Sequence, residues 1–200
     1  MFNTIVLAGG KALRLGRNKL LEKVGSRPLL SRVIDTLSEL ESDIIIVAGA
    51  GQDLAAFPVG DKFKVIADTY PGGGALGGIY TGLTASDSFH NLVVAGDMPF
   101  LNTALLRYLI GAAGSYDAVV PRLNGFIEPL HAVYAKSCEL YIKAEIETGR
   151  RDIRSFFSRV KVRYVDDEEI DRFDVSHISF FNINTRDDLK KAREIVGQNG

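Results

Sequence analysis

A mostly parallel α/β sheet, covered by helices on both faces, is the fold class that three features of the sequence predict. Short unbroken apolar runs of strand length recur along the 200 residues, stripes with helical spacing lie between them, and glycines close several of the runs. Strands buried on both faces need no alternating polar positions, so this pattern marks a parallel sheet with two covered faces. Ligands bind such sheets beyond the carboxyl ends of the strands.

Residues 4–7 (TIVL) end in glycines and read as the first strand. Leu29, Leu30, Val33, Ile34, Leu37 and Leu40 recur at helical spacing behind Pro28, whose fixed φ suits a first helical turn. Residues 43–47 (DIIIV) and 63–66 read as strands, 75–85 as a helix after a glycine cluster, and 92–95 (LVVA) as a strand stopped by Gly96 and Asp97. Leu105, Leu106, Leu109, Ile110 and Ala113 form a helical stripe capped by Asn102 or Thr103. Strands follow at 117–120 and 130–134, helices at 137–147 and 153–157, and strands at 162–165 and 180–183. Thr185-Arg-Asp-Asp188 is a capping box that opens a last helix through Leu189, Ala192 and Val196.

Lys and Arg number 24 against 25 Asp and Glu, a net charge of −1, so no overall field draws nucleic acid or an anionic membrane. A composition 46% hydrophobic and 24% charged excludes a disordered chain. The lone Cys138 makes no internal disulfide, which points to a reducing compartment. The first apolar run is too short for a signal-peptide core or a membrane span. A cytoplasmic chain with one domain over 1–200 is the expectation.

Chemistry concentrates in three places. The first strand ends in Leu7-Ala-Gly-Gly10, followed by Lys11, Arg14, Gly16, Arg17 and Lys19. Glycines there let backbone N–H groups approach a phosphate or a base, and the cations neutralise a polyphosphate. Neither the P-loop spacing nor the dinucleotide fingerprint is satisfied. Second, Asp68-Thr-Tyr-Pro-Gly-Gly-Gly-Ala-Leu-Gly-Gly78 is a glycine-rich loop pinned by a helix, and an acidic residue there can accept the N1–H and 2-amino donors of guanine. Third, Asp97, in Val93-Val-Ala-Gly-Asp-Met-Pro99, stands alone at the end of a buried strand. That placement suits Mg²⁺, which takes one or two carboxylates and keeps its other positions for water and phosphate oxygens. The three histidines lack zinc-site spacing: His131 reads as packed on its strand, His90 and His177 as loop residues. Asp166, Asp167, Glu168, Glu169 and Asp171 read as a solvated turn.

The opening L-A-G-G-x-x-x-R-L-G-x-N-K-L-L, followed by Gly25-Ser-Arg-Pro28, resembles the nucleotidyltransferases built on a Rossmann-like sheet. Asp68-x-x-Pro-Gly, Gly-Asp97-Met-Pro-Phe-Leu, Glu128-Pro-Leu-His-Ala-Val-Tyr134 and Phe180-Phe-Asn-Ile-Asn-Thr-Arg-Asp-Asp-Leu189 resemble, in order, segments of the molybdenum cofactor guanylyltransferases. This resemblance runs from about residue 4 to 189. It implies a three-layer, GT-A-like fold with a nucleotide half over about 1–100 and a pterin half over about 101–200. The implied reaction moves GMP from GTP to the terminal phosphate of molybdopterin and releases pyrophosphate, with Mg²⁺ as cofactor.

By resemblance, Leu7, Ala8, Gly9 and Gly10 wrap the nucleotide, together with Lys19, Asp68 and Asp97. Lys19 neutralises the α-phosphate, Arg14 holds the departing pyrophosphate, and Asn182 and Asn184, on one face of the predicted strand, meet the pterin. Delivery to molybdenum-insertion proteins and apo-molybdoenzymes is implied too. The chain departs from the pattern at Asn18, where many members have Asp, and at Val47-Ala48-Gly49, where many have Asn. Guanine preference then rests more on Asp68. The alternatives are a cytidylyltransferase acting on the same pterin, whose opening reads L-A-A-G and whose metal strand reads D-Q-P, a sugar-phosphate nucleotidyltransferase, and a nucleotide-binding regulatory module. Arg14, Lys19 and Asp97 together speak against the last.

Overall fold

β1 (Phe2–Ala8) sits in the middle of the sheet because both of its faces are apolar: Ile5 and Val6 point to opposite sides and both are fully buried. The computed structural model describes residues 2–9, 19–54, 57 and 63–198. Within them follow β2 (Lys23–Val24), β3 (Arg27–Pro28), α1 (Leu29–Ser38), β4 (Asp43–Ala48), β5 (Lys64–Ala67), α2 (Gly74–Ala85), β6 (His90–Ala95) and α3 (Thr103–Gly111). The second half contributes β7 (Ala118–Leu123), β8 (Phe126–Ile127), β9 (His131–Ala135), α4 (Cys138–Glu147), β10 (Val162–Asp166), α5 (Asp167–Ile170) and α6 (Arg186–Gln198).

One sheet runs β10-β7-β9-β6-β1-β4-β5, with β8 paired onto β7. β5, β4, β1 and β6 are parallel, as are β7 and β10. β9 runs against both of its neighbours, and β8 against β7. The mostly parallel sheet is therefore as expected, with one reversed strand joining its halves. A separate two-stranded hairpin, β2–β3, leads into α1. No helix among the described residues is long and apolar enough to cross a membrane.

Side-chain alternation along the strands divides the core into two layers. Val6, Ile46 and Val94 meet Leu30 and Val33 of α1, Leu106 of α3 and Ala192 of α6. Ile5, Ile45 and Val93 meet Leu76, Ile79 and Leu83 of α2 and Ile142 of α4. Burying each aliphatic side chain contributes about 1.5–3 kcal/mol before entropy is subtracted. α2 lies unusually close to the sheet because of two glycines one turn apart. A Cβ on Gly82 would stand 2.4 Å from Ile5 Cγ2, and one on Gly78 3.2 Å from Leu7 Cδ2.

Four expectations need correction. The segment 180–183 is not a strand: a 3₁₀ turn, Ile178–Phe180, is followed by irregular backbone. Behind the buried Asp174, whose carboxylate accepts the N–H groups of Ile178 and Ser179 and the Ser179 hydroxyl, the Phe180 and Phe181 N–H groups turn back to the His177 and Ile178 carbonyls and the Ile183 N–H goes to the Asp97 carbonyl. The acidic run is no solvated turn, since Asp166 pairs with Arg122, Glu169 with Arg163, and Asp171 with His177. The helix expected at 153–157 is 3₁₀, Ile153–Arg159, and His90 lies inside β6 rather than in a loop.

Candidate active site

The parallel strands end along one edge, and three segments distant in sequence meet there. Lys19 opens a 3₁₀ turn, Lys19–Leu21, whose central Leu20 is sunk in the core. That anchor leaves the Lys19 ammonium aimed at the end of β6, where Nζ donates to Asp97 Oδ2 at 2.5 Å. The same ammonium donates to the Ile183 carbonyl at 2.9 Å and to Asn184 Oδ1 at 3.1 Å. Both charged side chains are only 16% exposed.

Each partner is held from behind. The Gly96 N–H donates to the Leu7 carbonyl at 2.9 Å, and the Ile183 N–H to the Asp97 carbonyl at 3.0 Å, which ties β1, β6 and the 183–184 segment together. The predicted capping box is formed reciprocally: Asp188 N–H donates to Thr185 Oγ1, and Asp188 Oδ2 accepts from the Thr185 and Asn184 N–H groups. Burial alone would raise the Asp188 carboxyl, but these bonds from Thr185 and Asn184 outweigh it and hold it below its ordinary value. α6 is braced in turn by Arg193, which donates to the Lys23 carbonyl and pairs with Glu22.

Asp97 Oδ1 is buried and has no hydrogen-bond partner among the described residues. An anionic oxygen left bare in a site this enclosed is costly, and a hard divalent cation satisfies it. No cluster of three or more His, Cys, Asp or Glu among the described residues forms a metal cage. The fit is thus to an ion held by one carboxylate and by oxygens from outside the protein, the habit of Mg²⁺.

Asp68 stands after β5, with its N–H bonded to the Ala48 carbonyl. Its Oδ1 accepts from the Tyr70 N–H and from the Thr81 hydroxyl, both at 2.9 Å. These bonds fix the carboxylate, and among the described residues none engages Oδ2. Thr81 lies 13 positions downstream on α2 and carries no sequence signal for this role. Gly72 and Gly74 have φ of 87° and 64°, the left-handed backbone that turns the chain into α2. At the end of β1, a Cβ on Gly9 would lie 2.9 Å from the Gly49 nitrogen, so this glycine is required by the neighbouring strand end. Gly49 in turn donates its N–H to Gln52 Oε1 at 2.6 Å.

The structure brings Lys19, Asp97 and Asn184 together and lines the same edge with Leu7, Ala8, Gly9 and Asp68. Asn182 is placed otherwise: its amide donates to the Phe180 carbonyl two residues back, so it shares no strand face with Asn184. Gly10 and Arg14 lie outside the described residues. The Ile183 carbonyl, a third ligand of the lysine, is a backbone contribution that no residue type announces.

The MobA-like NTP transferase domain matches residues 4–165. A probable molybdenum cofactor guanylyltransferase from Pelotomaculum thermopropionicum is 35% identical over 94% of this chain and 90% of its own. One from Methanosarcina mazei is 36% identical over 98% and 93%. Among solved structures, molybdopterin-guanine dinucleotide biosynthesis protein A from Archaeoglobus fulgidus superposes with a TM-score of 0.83 at 31% identity, over 99% of this chain and all of that one. A 4-diphosphocytidyl-2C-methyl-D-erythritol synthase from Anaerococcus prevotii, at 18% identity and a TM-score of 0.73, shares the fold. An end-of-sheet lysine–aspartate pair on this topology, with a match over most of its length, makes the chain a member of the MobA-like NTP transferase family.

Proposed function

We propose that this chain is a molybdenum cofactor guanylyltransferase, moving GMP from GTP to the terminal phosphate of molybdopterin and releasing pyrophosphate. The observation that carries the reading is the junction of Lys19, Asp97 and Asn184, in a chain whose relatives at 35% and 36% identity bear that name. The nucleotide occupies the half contributed by residues 1–100, and the pterin the half contributed by 101–200. The reaction takes place in the cytoplasm.

An oxygen of the pterin's terminal phosphate attacks the α-phosphorus of GTP. The bond from that phosphorus to the bridging oxygen breaks, and pyrophosphate leaves with the electron pair. The nucleophile is already anionic near neutral pH, so the site needs no general base. Catalysis reduces to alignment and to neutralising charge. Lys19, held by Asp97, Ile183 and Asn184, presents its ammonium to the α-phosphate, and Arg14 receives the pyrophosphate. Asp97 would hold Mg²⁺ through Oδ1, and the ion would supply further charge neutralisation and orientation of the phosphates. Leu7, Ala8, Gly9 and Gly10 border the nucleotide, and Asp68 reads guanine with the oxygen that Thr81 and Tyr70 leave over. Asn184 is the better placed of the two asparagines to meet the pterin phosphate; Asn182 supports the turn. Molybdenum-insertion proteins and apo-molybdoenzymes are the proposed recipients of the product.

Calorimetric titration with GTP, CTP and ATP, each with and without Mg²⁺, tests the base assignment. Selective, magnesium-dependent GTP binding is expected. CTP selectivity would transfer the chain to the cytidylyl reading and remove the role given to Asp68.

A further inference from the structure

β8 is a two-residue strand whose position, more than its length, is informative. Arg122 of β7 pairs with Asp166 of β10 on one side and with Ile127 of β8 on the other. β8 therefore lies on the β9 side of β7, in line beyond β9 and one strand spacing, about 5 Å, from the line of β6. The bonding continues past the strand: the Glu128 N–H donates to the Pro121 carbonyl at 2.9 Å. Two residues later, the Leu130 carbonyl accepts from the Ala95 N–H at 3.0 Å, just before Asp97. Glu128 thus flanks the end of β6 on the side away from β1.

Alternation fixes the face. Ile127 packs into the layer of α2 and α4, so Phe126 and Glu128 project from the opposite surface. Leu123, the cross-strand partner of Phe126, belongs to that opposite layer, as do Leu20 and Ile183, which adjoin Lys19 and Asn184 in the chain. Phe126, Glu128 and the Lys19–Asp97 junction share one edge of the sheet.

Among the described residues, no hydrogen bond or ion pair engages either side chain. The Phe126 ring, beyond the Asn124-Gly125 turn, is 76% exposed. A single exposed aromatic is ordinary. Here it stands two residues from a half-buried carboxylate that no hydrogen bond or ion pair engages among the described residues. Burial, with nothing opposing it, pushes the Glu128 carboxyl up. A flat phenyl surface beside an unpartnered carboxylate suits a planar heterocycle bearing two adjacent N–H donors.

We propose that Glu128 and Phe126 recognise the ring of the second substrate. The Glu128 carboxylate accepts the ring N–H and the exocyclic amino group of a 2-amino-4-oxopyrimidine fused in a bicycle, and Phe126 covers one face of that ring. Guanine and a pterin both present this edge, and position separates them. Asp68 follows β5, three strand spacings to the other side of β6, roughly 14 Å away, leaving the phosphates between the two carboxylates. This inference deepens the guanylyltransferase reading and rests on it.

Anaerobic steady-state kinetics with GTP, molybdopterin and Mg²⁺ test it on the full chain, with each KM measured separately. Glu128→Gln should raise the KM for molybdopterin about tenfold through loss of a charge-assisted pair. Phe126→Ala should raise it about fivefold through loss of stacking, while Phe126→Tyr, which keeps the ring, retains the wild-type value. The KM for GTP stays at the wild-type value in all three. An unchanged KM for molybdopterin in Glu128→Gln and Phe126→Ala overturns the inference, as does a parallel rise for both substrates, which would mark a disturbed fold. If the wild-type protein makes no dinucleotide at all, the guanylyltransferase reading fails, and this inference falls with it.

Discussion

Asp97 is engaged through one oxygen and bare at the other, and that asymmetry separates its structural role from its chemical one. Asp97→Ala removes a largely buried ion pair together with the bare Oδ1, while Lys19 keeps the Ile183 carbonyl and Asn184 Oδ1, so the fold should survive with a loss of no more than about 3 kcal/mol. Turnover should fall at least about 100-fold because charge neutralisation at the phosphates is lost. Calorimetric melting together with a pyrophosphate-release assay checks both halves; near-normal turnover would remove the metal assignment. His131 makes a second residue-scale prediction. It is fully buried on β9 against Phe180, ring centroids 4.5 Å apart, and neither nitrogen has a partner among the described residues. Desolvation lowers it from 6.5 to about 4, against a smaller opposing pull from Asp174. Between those values the unfolded chain binds a proton that the folded chain refuses, so stability falls as pH drops from 6.5 towards 4, by about 1.4 kcal/mol per unit. Urea denaturation across that window should give a flatter profile for His131→Leu than for the wild type. Equal slopes would show that the histidine is hydrated or paired.

At the scale of elements, glycine in α2 and in the loop before it does two different jobs. Gly72 and Gly74 turn the chain, whereas Gly78 and Gly82 admit the β1 side chains under the helix. Gly82→Ala therefore forces a Cβ against Ile5 and should cost about 1–3 kcal/mol, while Gly111→Ala, at the end of α3 with nothing within 4 Å, should be neutral or stabilise by up to about 1 kcal/mol. Urea midpoints for the two variants compare them directly. Runs such as DIIIV and LVVA were legible as strands because burial on both faces removes every polar alternative, and β4 and β6 follow them closely. The segment 180–183 was not legible as irregular. Its Phe-Phe-Asn-Ile pattern satisfies strand propensity, but the Phe180 and Phe181 N–H groups turn back to the His177 and Ile178 carbonyls and the Ile183 N–H to the Asp97 carbonyl, backbone contacts that no residue type announces. The acidic run misled for a similar reason, since its arginine partners lie on β7 and β10, far away in sequence or hidden by alternation.

The whole molecule brings residues 19, 97 and 184 to one point, and the parallel sheet explains how: strands that end together put distant loops at one edge. Lys19, Asp97 and Asn184 were readable because each sits in a motif next to a strand end or a helix cap. The partners that hold them were not: the Ile183 carbonyl and Thr81 become visible only when the chain is folded. The most direct test of the account is a single anaerobic reaction containing the protein, Mg²⁺, molybdopterin, GTP labelled at its α-phosphate, and competing CTP. The label is expected to enter molybdopterin guanine dinucleotide with one pyrophosphate released per product, and CTP to be left unused. Preferential formation of the cytosine dinucleotide, or label that stays in GTP, would contradict it.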